Sequence, residues 1–394
     1  MNWLHYCENT SIKLIKFSIL CNGKRIVKYK KYNKYLLVIS ISIILGIILL
    51  NYLVNPYNIF KQRIFPETLL KPEAKIQERV TKPIGLKIDN RKIDAVFFGT
   101  SRADLGLDKN HYKEITGKEA ENIAIGGLHF NEMLDAIDIA TKIHPEIKHV
   151  YIGLDYAVFL KSKDNTNDNR ATITKNPKLE TQELGIALLC LKTTGNSIWT
   201  VIKNLSGNKR RMFYPSGKKY IFVNKKIKKD FELSWKEYNK AYAAAVLDDN
   251  KLEMFADYCK KLNRKGIKVT LFIMPSHITE FYFIYKTGNW ENYSNWKKGL
   301  AAISPVYDFQ YPNIYTTDKI RPDMKTFFDA SHCTYLVGNK IIDDIVLKKT
   351  DLARLITKEN ADAINKKNLK DIVNWSKTDK ETINWINKTI NEEK

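Results

Sequence analysis

The sequence predicts an α/β domain built on a central parallel sheet and held behind one transmembrane helix. Three observations carry this. Tyr35–Val54 (YLLVISISIILGIILLNYLV) is an uncharged apolar run long enough to cross a hydrocarbon core of roughly 30 Å as a helix. From Ile93 onward, short apolar runs with strand character alternate with segments of helical spacing, the pattern of βαβ units. The first of those runs, Asp94–Phe98, ends in Gly-Thr-Ser-Arg, which puts Ser101 at the carboxyl end of a buried strand, where open parallel sheets carry their sites.

The elements follow in order. Residues 1–34 carry eight Lys and Arg against the single Glu8. This basic flank, a long apolar core and the lack of a small-x-small cleavage site favour an uncleaved anchor over a signal peptide. By the positive-inside rule the N-terminus is cytoplasmic, so residues from 55 on face outward from a single-pass inner membrane protein. Residues 55–91, with Pro56, Pro66, Pro72 and Pro83, read as a juxtamembrane stalk. The main domain spans 92–350. Its strands are Asp94–Phe98, Asn122–Ile125, His149–Leu154, Lys268–Met274 and, last and shortest, Val306–Phe309. Asn131–Ile143 has helical spacing, with Met133, Leu134, Ile137 and Ala140 on one face. Trp235–Arg264 reads as one long helix closed by Gly266, and Glu280–Lys286, Trp290–Ala302 and Tyr335–Lys348 read as further helices. Residues 161–234 interrupt the alternation. They are polar at Ser162–Asn169, apolar around Leu184–Leu191 and basic at Lys209–Arg211 and Lys218–Lys229, and read as a lid or side lobe over the site. Residues 351–394 read as a charged, helix-prone extension.

The net charge of +22 suits an acidic polymer or an anionic membrane face, or simply reflects a lysine-rich composition. Nucleic acid is excluded as a partner because the anchor turns the domain away from the cytoplasm. The five cysteines form no CxxC pair and no metal-ligand spacing, and no disulfide framework is indicated.

A nucleophilic serine needs a base, an orienting acid and an oxyanion site. Asp329-Ala330-Ser331-His332 supplies the first two: an Asp and a His three apart, in a loop before a helix, can fold into one cleft. Taken alone, DxxH more often marks a surface Asp and a capping His. Arg102 reads first as a partner of Asp155 or Asp104, and second as a ligand for an acidic substrate group. His277, in Met-Pro-Ser-His after a strand, reads as a loop residue before a cleft residue.

Four short blocks in order, FFGTSRADLGLD, NIAIGG, YIGLDY and DASH, resemble the SGNH/GDSL hydrolase superfamily. They are most similar to its membrane-anchored members that modify bacterial cell-surface polymers, such as the alginate O-acetylation proteins and the D-alanyl transfer protein of teichoic acids. The resemblance implies a flavodoxin-like three-layer sandwich, with Ser101 as nucleophile, His332 and Asp329 as its dyad, and Gly127 as the oxyanion-hole glycine. The chain departs from the pattern twice. Thr100 stands where these enzymes have Asp, and Asp155 where they have an Asn that donates to the oxyanion. A carboxylate there repels developing negative charge, and one lost donor costs about 2.7–4 kcal/mol of transition-state stabilisation. Asp155 either stays protonated in a dry pocket, or turns toward Arg102, or marks a poor or inactive hydrolase. The resemblance implies a serine-dependent acyl esterase or O-acyltransferase acting on an envelope polysaccharide, fed by an acyl-carrying envelope component or a membrane-bound donor protein, with no metal or diffusible cofactor. The alternative is an inactive SGNH-fold scaffold in polysaccharide assembly or export.

Overall fold

A computed structural model describes residues 29–60, 69–72, 78–161, 176, 178–207, 209 and 212–392. The basic cluster up to Lys28, the polar run Ser162–Asn169 and Arg210–Arg211 lie outside them.

Six strands form the main sheet: β1 (Ala95–Phe98), β2 (Ala120–Asn122), β3 (His149–Leu154), β4 (Lys268–Ile273), β5 (Val306–Asp308) and β6 (Arg354–Ile356). Their order is β2-β1-β3-β4-β5-β6. All neighbours pair in parallel except β5 and β6. Every residue of β1 is inaccessible to solvent. Successive side chains of a strand point to opposite faces, so both faces of the sheet are covered, and the strand reads as a continuous apolar run for that reason. The chain starts at β1, steps outward to β2, then returns past β1 to β3. The connections after β1 and β3 therefore leave in opposite directions, and a crevice opens at the carboxyl ends between them.

The strand expected at Asn122–Ile125 lies two residues earlier. Phe97 pairs with Asn122, and the amides of Ile123 and Ile125 still donate to Phe97 and Gly99 as the chain leaves. The single helix expected over Trp235–Arg264 is two helices, Ile227–Ala243 and Asp249–Arg264. Tertiary hydrogen bonds override local propensity between them. Lys161 N–H donates to Val246 O (2.8 Å), Asp248 N–H to Phe159 O (2.9 Å), and the Asn289 amide to Ala245 O (2.6 Å). Gly266 does sit in the left-handed region (φ +74°), where it closes the second helix.

The segment after 350 completes the domain. It supplies the antiparallel edge strand β6 and helices Ala361–Thr378 and Lys380–Asn391. Ile372 and Ile386 are fully buried, and Trp385 packs edge-on against Trp235 at 4.6 Å. The juxtamembrane stretch is likewise part of the body: helix Glu78–Lys87 buries Val80 and Ile84 completely. The described part of the 161–234 segment divides: Lys219 lies over the Phe328 ring (4.9 Å) beside the Asp329–His332 loop, while the two helices before it lie elsewhere. Its helices Leu179–Leu189 and Leu191–Leu205 pack on the end of the apolar N-terminal helix Tyr29–Val54.

One ion pair lies wholly inside. Lys297 Nζ meets Asp308 Oδ2 at 2.7 Å, both side chains without solvent exposure. Asp308 also accepts from Gln310 N–H and the Asn368 amide. Removing one partner strands a buried charge, which costs about 3–5 kcal/mol. Lys297→Met is expected to lower the unfolding free energy by about that amount, read as a shift of the urea midpoint by tryptophan fluorescence. An unchanged midpoint would show that the pair does not hold β5 in place.

Candidate active site

Ser101 is placed by a turn that only glycine permits. Gly99 follows β1 at φ +151°, and a Cβ there would lie 2.7 Å from both Ala103 Cβ and Gly153 O. Thr100 caps the next helix, Ser101–Gly106, its hydroxyl oxygen accepting from Arg102 N–H at 3.3 Å. Ser101 is the first helical residue, so the amides around it have no intrahelical acceptor. Asn122 caps the other end of this helix, donating to Ala103 O (2.9 Å) and Leu107 O (3.0 Å).

The Asp329–His332 loop reaches the same point from 231 residues away. Asp329 Oδ1 accepts from the amides of Ser331 (2.8 Å) and His332 (3.0 Å), which folds the loop back on itself. The two Asp329 oxygens lie 2.8 and 2.9 Å from His332 Nδ1, and His332 Nε2 lies 2.8 Å from Ser101 Oγ. Burial works to raise the Asp329 pKa, but the imidazole and the two amides outweigh it and hold the carboxyl below its usual range. An ionised carboxylate only accepts, so Nδ1 carries the proton and Nε2 is left to accept from the serine hydroxyl. This is the arrangement that lets an imidazole withdraw a proton from serine while the carboxylate stabilises the imidazolium.

Two glycines hold serine and histidine in register. Gly106 ends the serine helix, and Gly338 lies in helix Tyr335–Leu347, just after the histidine. A Cβ on Gly338 would fall 1.7 Å from Gly106 O, and one on Gly106 would fall 2.8 Å from Cys333 Sγ. Cys333 is itself fully buried, its thiol pushed up to about 12 by burial.

Asp155, at the end of β3, does not face the serine with a free carboxylate. It accepts from the Thr100 hydroxyl, and its other oxygen lies 3.3 Å from Arg102 Nε. Burial raises the Asp155 pKa, opposed by Arg102 and Thr100. Arg102 also forks onto Glu280 at 2.6 and 2.7 Å, and Tyr242 donates to the same carboxylate. Arg102 is thus committed to two buried carboxylates, Asp155 and Glu280, and its pairing with Asp104 does not form; Asp104 takes Lys82 instead. Arg102, Asp155, Glu280 and Tyr242 line a small cavity with Tyr156, Tyr293 and Trp296.

Gly126 borders the nucleophile, beside the expected oxyanion glycine Gly127. A Cβ on Gly126 would lie 3.8 Å from Ser101 Cβ. Gly127 takes the left-handed turn (φ +59°), and its carbonyl accepts from Arg79 at 2.9 Å. Gly126 N–H donates to Glu78 Oε2 at 2.9 Å, so a carboxylate from the juxtamembrane helix rests on the amide nearest the serine. His277 is a capping residue: its ring accepts from Thr279 N–H, and its own N–H donates to Ala330 O (3.0 Å), tying down the Asp329–His332 loop. Burial lowers its pKa to about 4. Sequence reasoning missed Glu78, Lys82, Glu280 and Tyr242. The first two lie in the segment read as a stalk, and the others on helices with no motif around them.

Two outcomes test this geometry. Gly338→Ala adds a better helix former, worth about 1 kcal/mol on an open helix. Here it is expected to destabilise, because its Cβ meets backbone, whereas Gly185→Ala, with nothing within 4 Å, is expected to be neutral or stabilising. Thermal melts of both variants decide it, and equal melting points would reject the helix lock. The second outcome concerns pH. Asp329 has a depressed folded pKa, so its contribution is complete above the ordinary aspartate value and is lost as pH falls through the folded one. The stability gap between the native chain and Asp329→Asn should therefore stay constant from neutrality to about pH 5 and narrow below about pH 4. A gap independent of pH down to the acid limit of folding would contradict the pairing.

No family model matches the chain, and no curated protein matches it.

Proposed function

We propose that this chain is a membrane-anchored, serine-dependent acyl esterase or O-acyltransferase acting on a cell-envelope polysaccharide. The observation that carries the reading is the continuous contact from Ser101 through His332 to Asp329 at the carboxyl edge of a parallel sheet. The strand order β2-β1-β3-β4-β5 is that of the flavodoxin-like sandwich expected of an SGNH fold.

Ser101 Oγ attacks the acyl carbonyl carbon while His332 Nε2 takes its proton, and the carbonyl π electrons move onto oxygen. The resulting oxyanion is held by amides around Ser101 and Gly126, once Glu78 has moved off the latter. Collapse expels the alcohol, which takes the proton from His332 and leaves an acyl-serine. Water regenerates the serine in an esterase; a sugar hydroxyl does so in a transferase. Asp329 holds His332 in the productive tautomer throughout. Thr100 donates to Asp155, so the two positions at which the chain departs from the superfamily pattern are joined to each other. Arg102 beside Asp155 reduces the repulsion a carboxylate would otherwise exert on the oxyanion. The anchor orients the N-terminus to the cytoplasm and the domain to the extracytoplasmic face, where envelope glycans and a membrane-bound acyl donor meet it.

A second reading, an inactive scaffold in polysaccharide assembly or export, is favoured by one specific feature. Glu78 occupies the Gly126 amide, and a carboxyl group, Asp155, stands where the superfamily pattern has a donating Asn. One experiment separates the readings. The full chain in detergent is treated with a fluorophosphonate probe and with p-nitrophenyl acetate, beside Ser101→Ala and Asp329→Asn. Labelling and hydrolysis should vanish in Ser101→Ala, and turnover should fall by about 10⁴ in Asp329→Asn. Equal signals from the native chain and Ser101→Ala would leave the scaffold.

A further inference from the structure

The helical hairpin Leu179–Leu189 and Leu191–Leu205 is built inside out. On the second helix, Thr193, Ser197 and Thr200 recur at helical spacing and are completely buried. The opposite face carries Leu191 (70% exposed), Ile198, Trp199, Ile202 and Leu205 (83% exposed). A helix on an aqueous surface has the reverse arrangement, apolar inward and polar outward.

The buried polar stripe has a partner that explains it. Asn51, fully buried three residues before the end of the apolar N-terminal helix, donates to Leu188 O (2.9 Å) and Thr194 Oγ1 (3.1 Å) and accepts from Ser197 Oγ (2.9 Å). Polar side chains that hydrogen-bond across helices while apolar ones face outward are the packing mode of helices in lipid. The N-terminal helix against which it packs is exposed and apolar on the preceding turns as well, at Leu45 and Leu49. At 1.5 Å per residue, Asn51 lies only roughly 5 Å from the end of the apolar run. The hairpin therefore sits at the shallow boundary of the hydrocarbon. Trp199, with Lys203 Nζ 4.9 Å from its ring centre, has the amphipathic chemistry of that depth.

We infer that this hairpin is a second membrane attachment, lying in the interface of the extracytoplasmic leaflet with its Leu191–Leu205 outer face among lipid chains. The inference rests on reading Tyr35–Val54 as membrane-spanning. It goes further, because one spanning helix leaves a domain free to swing and a second contact fixes its tilt. The hairpin is tied to the body as well. Asn204 exchanges two hydrogen bonds with the Leu70 backbone, and Ala187 shares a small core with Ile59, Val80 and Ile84.

Tryptophan quenching tests this in the full chain reconstituted into phosphatidylcholine vesicles carrying bromines at the 6,7 or 11,12 acyl positions. The native chain should show bromolipid quenching that is larger for the shallow bromines and is lost in Trp199→Phe. Leu45→Trp, made on the Trp199→Phe background, reports on the anchor alone. Quenching of Leu45→Trp without any contribution from Trp199 would overturn the hairpin inference and leave the anchor intact. A Trp199 emission that is apolar yet insensitive to bromolipid would also overturn it, because a second copy of the chain would then cover the face. No quenching at either position would overturn the anchor reading itself.

Discussion

Serine and histidine can share a hydrogen bond of 2.8 Å across 231 residues only if the two helices that carry and follow them touch backbone to backbone. That contact, Gly106 against Gly338, is the constraint from which the site follows. A side chain at Gly338 would meet the backbone of Gly106, and one at Gly106 would meet the Cys333 thiol next to His332. The sheet makes the approach possible. β1 delivers Ser101 at its carboxyl end, and the ends of β3, β4 and β5 lie alongside in parallel register. Residues from distant parts of the sequence therefore arrive at one edge as neighbours.

The same edge is where the buried charges collect. Lys297 and Asp308 lie at the end of β5 with no solvent contact, and Asp308 fixes Gln310 through its backbone amide. Gln310 in turn accepts from the Ser276 amide and hydroxyl. The next residue, His277, holds the Asp329–His332 loop through Ala330. Hydrogen bonds thus run from the core ion pair to the base beside the serine. Arg102, Asp155 and Glu280 form a second cluster directly beneath the nucleophile. Two carboxylates around one guanidinium are tolerable at this burial because Thr100 and Tyr242 donate to them as well. The cluster keeps negative charge close to the serine, which an oxyanion would oppose. The ion pair to Arg102 is what makes Asp155 compatible with the proposed chemistry.

Much of this was legible in the sequence, and what was not has physical reasons. His149–Leu154 was read to the residue because a central parallel strand is apolar on both faces and stands out from its flanks. Ser101 and the Asp329–His332 pair were legible because a nucleophile at a strand end and a dyad in a turn are local patterns. β6 was invisible: Arg-Leu-Ile has no strand signature, and its strand state comes from pairing with β5. The break between Ala243 and Asp249 carries no glycine or proline, and the bonds that cause it come from residues 159–161 and 289. The helix Glu78–Lys87 was read as stalk because prolines precede it and one, Pro83, lies inside it, yet it brings Glu78, Arg79 and Lys82 to the Gly126 loop.

That last helix joins the hairpin to the serine site. Its apolar face, through Val80 and Ile84, shares a core with Ile59 and with Ala187 of the hairpin, and Lys87 pairs with Glu180 at 2.8 Å. Its polar face sets Glu78 on Gly126 N–H and Lys82 on Asp104 and Ala124 O. Displacing Glu78 from the amide therefore does not require the serine, the histidine or the sheet to move. It requires a rotation of one carboxylate side chain, or a small shift of a short helix whose other face rests on Ile59 and the hairpin. A rigid triad and a separately mounted carboxylate at the oxyanion amide are compatible with an acyltransferase that stays closed to water until its donor arrives. The Glu78 helix and the hairpin share one small core, so the proposed contact of the hairpin with lipid would bear on the chemistry as well as on the placement of the domain.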